Sequence, residues 1–227
     1  MAEFVPPLWT ESTRYEYVQA IQFCLAAYAV PALVVVGRPW GRLGGAGSRG
    51  RLWRLLDRVA ERRLRHASFV RAFAFVAAFA ALVILWRTPA WTDAVVRDRW
   101  LVPVEVVSLA VTGVGLWLEI LACPPLRPRL HRPWRAVVAA LAMWATWVMA
   151  FSIGFAHDSW YHAFDHVRTG IGVTLDQEIA TGILWLAAVA AFLPAIFADL
   201  MTWLRNGDDP DAELRRLVRD ARRSGRA

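Results

Sequence analysis

No lysine occurs anywhere in this chain of 227 residues; all 26 of its basic side chains are arginine. We read that bias as one of coding-sequence base composition, without chemistry of its own. Cysteine is scarce as well: Cys24 and Cys123 stand alone, with no Cys-x-x-Cys pair. This excludes a disulfide-stapled secreted fold and a cysteine-based zinc module. The first fourteen residues, MAEFVPPLWTESTR, have no basic cluster ahead of an apolar core, so no cleavable signal peptide is expected. Nucleophile-elbow, phosphate-loop, His-Glu-x-x-His and haem-attachment patterns are all missing. Catalysis is therefore not expected of this chain.

What is present is apolar residues, 57% of the chain, together with 13 tryptophans. They fall in blocks of about 20, the length that crosses a bilayer core as a helix. The expected fold class is an all-α polytopic membrane bundle of five spans, at about 15–36, 68–86, 101–123, 134–155 and 177–204. Pro31, Pro103 and Pro194 lie inside or near the start of three of them. Cys24 should sit near mid-membrane and Cys123 at an inner edge, which argues against a disulfide between them. Arginine counts orient the bundle. Segments 38–65, 127–135 and 205–226 carry nine, four and seven arginines, whereas 1–16, 87–100 and 156–178 carry one, three and one. Twenty against five places the N-terminus outside and the C-terminus in the cytoplasm. The net charge of +7 is thus read as an affinity for membrane lipid and not for nucleic acid. The expected location is a bacterial cytoplasmic membrane.

Two segments read as helices outside the spans. In 51–66, Leu52, Leu55, Leu56, Val59 and Leu64 recur at helical spacing among arginines, the pattern of a basic amphipathic helix in the headgroup plane. The tail 206–227 has Asp209 and Pro210 as a helix start and a stripe of Leu214, Leu217, Val218 and Ala221. The transmembrane bundle is taken as 1–205 and the charged tail as 206–227. No internal repeat is evident. Small residues spaced by four, Ala74 and Ala78, Ala77 and Ala81, and Ala187, Ala191 and Ala195, read either as helix-contact faces or as filler.

Charged groups in spans are costly and mark interior contacts. Glu16, Arg87, Glu105, Asp176 and Glu178 fall near the outer ends, and Arg71, Glu119 and Asp199 near the inner ends. Arg87 and Glu105 are expected to pair across the second and third spans. The outer stretch 157–185 holds His157, His162 and His166, three of the five histidines. His162 and His166 are four apart, and Asp158 and Asp165 lie close by, a set that could hold zinc or copper(II). The same composition suits a docking loop at the membrane face, which is the reading preferred here. Met143, Met149 and Met201 show no clustered spacing of the kind that suits copper(I).

A family resemblance runs through the chain as an ordered series of short matches. It comprises Tyr17-Val18-Gln19 followed by PALVVVGRPW at 31–40; Trp86-Arg87-Thr88-Pro89 with Asp93-Ala94 and Arg97-Asp98-x-Trp100; and Glu105, Gly113 and Trp117. The most specific match is Asp176-Gln177, Gly182 and Trp185, closed by Trp203-Leu204-Arg205. On these residues the chain resembles the multi-spanning bacterial cytochrome c oxidase assembly factors of the CtaG-like kind. The resemblance implies a membrane accessory protein that binds a respiratory oxidase, with copper as the candidate metal. A permanent structural subunit of a respiratory complex is the alternative. Members usually have about seven spans, two more than are read here. Where they carry histidines, this chain has Glu16 and Ala20, Arg87, Val102 and Val106, and Thr146. No metal ligand therefore carries over. The residues that do match, Trp86, Pro89, Asp176, Gln177, Gly182 and Trp185, are expected to be structural.

Overall fold

Five helices are long and apolar enough to cross a bilayer, and their bounds follow local stop and start signals. The computed structural model describes residues 11–37, 68–121, 130–156, 158–164 and 171–206. The amphipathic segment 51–66, the tail beyond residue 206, and Cys123, His157, Asp165 and His166 lie outside the described residues. Helix α1 is Glu16–Gly37, α2 is Ser68–Arg87, α4 is Leu101–Ile120, α5 is Arg132–Gly154 and α6 is Val173–Asn206. The nine-residue helix α3, Pro89–Arg97, links α2 to α4. No strand occurs among the described residues. A helix satisfies its own backbone hydrogen bonds, which hydrocarbon cannot do for it.

Three boundaries differ from those expected. Helix α4 stops at Ile120, because Leu121 has turned to extended backbone ahead of Pro124-Pro125. Helix α5 begins at Arg132 with Pro133 in its first turn, where a missing N–H costs nothing. Helix α6 begins at Val173, and the amide of Asp176 already donates to the Gly172 carbonyl at 3.0 Å. Hydropathy marks where the apolar run starts; this helix starts one turn earlier.

Helix α6 packs along α5 and against the first half of α1, α2 packs on α4 and α5, and the second half of α1 packs on α4. The interior is a continuous apolar core with an aromatic centre. Trp117 stacks on Phe192 at 5.2 Å between ring centroids, and Tyr28 and Phe79 meet Phe192 edge-on. The Tyr28 hydroxyl finds Thr146 Oγ1 at 2.7 Å, so the one phenol at this depth is satisfied.

Helix α1 changes winding midway. Leu25–Ala29 form a π-turn just ahead of Pro31. Proline lacks the N–H that Ala27 O would accept in an α-helix, and Gly113 of α4 lies against that freed carbonyl. A Cβ on Gly113 would stand 2.7 Å from Pro31 Cγ and 2.9 Å from Ala27 O. On the other side of α4, Gly115 admits the Phe75 ring of α2. Gly113→Ala is expected to destabilise the bundle by about 1–3 kcal/mol, since neither the ring nor the carbonyl can yield cheaply. Thermal unfolding in detergent checks this. Gly182→Ala serves as the control, because a Cβ there meets nothing within 4 Å.

The two ends of the bundle carry different polar chemistry. At one end, named here for Glu119, Arg71 grips the Glu119 carboxylate side-on. There too Arg132 and Arg135 face Asp199 at 3.5 and 3.8 Å. The opposite end, named for Asp176, holds most of the residues singled out from the sequence.

Candidate functional site

A helix start leaves four N–H groups without intrahelical acceptors. Tyr15, which precedes α1, supplies no side-chain cap. The cap comes instead from α6: Asp176 accepts from the amides of Glu16 at 2.8 Å and Tyr17 at 3.0 Å, one through each carboxylate oxygen. A negative charge there also complements the positive end of the α1 dipole. The neighbouring Gln177 works in both directions. Its Oε1 accepts from the Trp160 amide at 2.9 Å, and its Nε2 donates to the Ile153 carbonyl in the last turn of α5 at 2.8 Å. Two adjacent side chains thereby tie α1, α5 and the connection between α5 and α6 to the start of α6.

That connection forms a strap over the end of the bundle, described for residues 158–164. The Ala163 amide donates to Asp93 Oδ1 of α3 at 3.0 Å, and the Tyr161 hydroxyl donates to the Arg87 carbonyl at 3.1 Å. Burial pushes the Tyr161 phenol up to about 12, with the Arg87 charge acting in the opposite direction. It stays a neutral donor at ordinary pH. Phe164 is buried edge-on to Tyr161, while His162 and Asp158 face outward.

Beneath the strap lies Arg87, the last residue of α2 and only 1% exposed. Besides Glu105, its expected partner, it meets side chains of α1. Arg87 Nη1 donates to Gln19 Oε1 at 3.4 Å, and the guanidinium carbon lies 4.7 Å from the centre of the Phe23 ring. Glu16 and Glu105 both act on the guanidinium through their electric fields. Glu105 also lines a small pocket with Ser12, Thr13, Gln19 and Gln22, walled by Val102 and Val106. Its free space is about 20 Å³, room for a single water. Nearby, Trp86 Nε1 donates to Ser108 Oγ at 3.0 Å, and Pro89 opens α3.

The family model of the cytochrome c oxidase caa3 assembly factors (Caa3_CtaG) matches residues 4–206, from ahead of α1 to the last residue of α6. The chain belongs to this family. The comparisons found no match among curated proteins and none among solved structures.

In this caa3 assembly factor, most of the positions at which the resemblance places histidines converge at the Asp176 end. Arg87, Val102 and Val106 lie about Gln19 and Phe23, with Glu16 and Ala20 buried on the same helix as those two. Thr146 lies deeper, bonded to Tyr28. The polar layer thus consists of carboxyl, amide and guanidinium groups. Cys24, buried on α1 within the field of Arg87, is the one soft donor near this layer, and a fixed guanidinium opposes a second cation there. Among the described residues, no three His, Cys, Asp or Glu side chains are grouped so as to hold a metal ion. Of the three candidate histidines only His162 is described, in the exposed turn His162–Phe164. Gly182 and Trp185 lie away from this layer: Gly182 faces outward, and Trp185 stacks on Trp147 at 5.4 Å on the bundle surface.

Gln19 and Asp93 entered the sequence reading only as members of the family match, without a role, and Tyr161 did not enter it. Gln19 had a usable signal, being an amide inside an apolar run, three residues after Glu16. Asp93 and Tyr161 had none, because their partners are backbone groups that adjoin them only in the fold.

Proposed function

We propose that this assembly factor binds a respiratory oxidase client in the bacterial cytoplasmic membrane, without catalysis, through its Asp176 end. The arginine distribution supports an outward orientation for that end. The observation that carries the reading is the strap. Its backbone is fixed by Asp93 and Gln177 and its Tyr161 hydroxyl by Arg87, so it presents His162 and Asp158 on a surface already ordered for docking. Pre-ordering lowers the entropy cost of association. The carboxyl, amide and guanidinium groups of the polar layer beneath favour a contribution by contact over one by metal transfer.

Native capture of the full chain from its own membranes, with haem spectra and subunit identification, tests the proposal. Oxidase subunits should co-purify during biogenesis and be lost from the mature complex. Their absence at every stage would refute it. Copper analysis of the purified protein, with and without His162 and His166, should give only a substoichiometric trace; stoichiometric copper lost with those histidines would restore a metal role. A permanent-subunit reading is favoured by one feature, the open face of α6 at Gly182 beside exposed Trp185 and Leu186. Stoichiometric retention with the mature complex in detergent would select it.

A further inference from the structure

A guanidinium grips an oxyanion side-on through two parallel N–H groups, Nε and Nη2. Arg71 does so at the Glu119 end, with Nε at 2.8 Å from Oε1 and Nη2 at 3.0 Å from Oε2. Arg87 has the same edge at the other end of the same helix, and there neither Nε nor Nη2 finds an acceptor in the protein. Glu16 Oε1, on α1 one turn before the Gln19 that Arg87 bonds, finds no donor. Arg87 is 1% exposed and Glu16 3%, and each lies within the other's electric field. Two donors and one acceptor are therefore unmatched within one buried layer. Such atoms are costly, and more so when charged.

We propose that an ordered water bridges the Nε–H and Nη2–H edge of Arg87 to Glu16 Oε1, closing a hydrated ion pair between α1 and α2. Charge selects the ligand class. The carboxyl groups of Glu16, Glu105 and Asp176 already crowd this layer, so a further oxyanion is opposed, and the guanidinium opposes a metal cation. A neutral group that both accepts and donates is required. One water can accept both N–H groups with its two lone pairs and donate a hydrogen to Glu16. The adjoining pocket is itself of single-water size. The inference is independent of which client the protein binds.

The test is thermal and denaturant unfolding of the full chain in detergent. It compares Glu16→Gln, Arg87→Gln, Arg87→Lys and the Glu16→Gln/Arg87→Gln double variant, each with and without acetate or phosphate. A bridged pair predicts non-additivity, the double variant falling short of the summed single losses by about tenfold in the unfolding constant. Arg87→Lys, which keeps the charge but not the fork, should also lose stability, and neither anion should change any variant. Additive losses would overturn the proposal. So would saturable stabilisation by acetate or phosphate that disappears in Arg87→Gln, which would make the edge an oxyanion site. Should the variants fail to fold, a high-resolution map of the unaltered protein decides: rounded density within hydrogen-bond distance of all three atoms supports the bridge, and planar density or none refutes it.

Discussion

Glu119→Gln is expected to cost about 3–5 kcal/mol of stability, the scale for removing one partner of a buried ion pair. The Glu119 side chain is 0% exposed and that of Arg71 14%, so the carboxylate depends on its partner far more than the reverse. Removing the charge takes from Arg71 its bidentate carboxylate, although its slight exposure lets it reach toward the headgroups and keeps the loss at the lower end of the range. Replacing both residues by leucine should recover most of it, since the penalty comes from the uncompensated charge and not from the loss of attraction. Unfolding of Glu119→Leu, Arg71→Leu and the double variant in detergent measures the coupling directly. A double variant no better than Glu119→Gln would show that the pair itself, and not its neutralisation, holds α2 to α4.

Asp176→Ala should be nearly as damaging, at roughly 3 kcal/mol. It strips the buried amides of Glu16 and Tyr17 of a charged acceptor, and each such loss is worth about 1.5–3 kcal/mol before relaxation. Asp176→Asn keeps one acceptor oxygen but sets an NH₂ against an N–H, so an intermediate loss is expected. The distinctive readout is where the damage appears. Hydrogen exchange should rise in the first turn of α1, about 160 residues from the substitution in sequence, while the Glu119 end stays protected. Uniform exchange along all helices would contradict the assignment of Asp176 as the cap of α1.

Much of the fold could be read from the sequence because the bilayer imposes a length. Runs of about 20 apolar residues gave five helices, and the errors lay at their ends. Proline signals went unused at Pro124 and Pro133, and α6 began a turn before its apolar run. Chemistry was harder to read. Arg71, Glu119 and Asp199 were recognised as charges of one common end, but not their pairings, which depend on the helix contacts between α2 and α4 and between α5 and α6. Arg87 was expected to pair with Glu105, and α1 delivers Gln19 and Phe23 to it as well. The Asp176-Gln177 match to the family stood out in the sequence, yet its bonds go to backbone amides and a carbonyl of distant segments, which no side-chain pattern announces.

The π-turn in α1 has a geometric consequence for that polar layer. One extra residue per turn rotates everything upstream by about 100° relative to a continuous α-helix. Helix α1 therefore presents one side to α6 before Leu25–Ala29 and a different side to α4 after it. Without this phase shift, a single apolar stripe would have to serve both neighbours, and Gln19 would point away from Arg87. The proline at 31 and the glycine at 113 thus act at a distance on the opposite end of the membrane, setting the azimuth at which Glu16 and Gln19 meet the guanidinium.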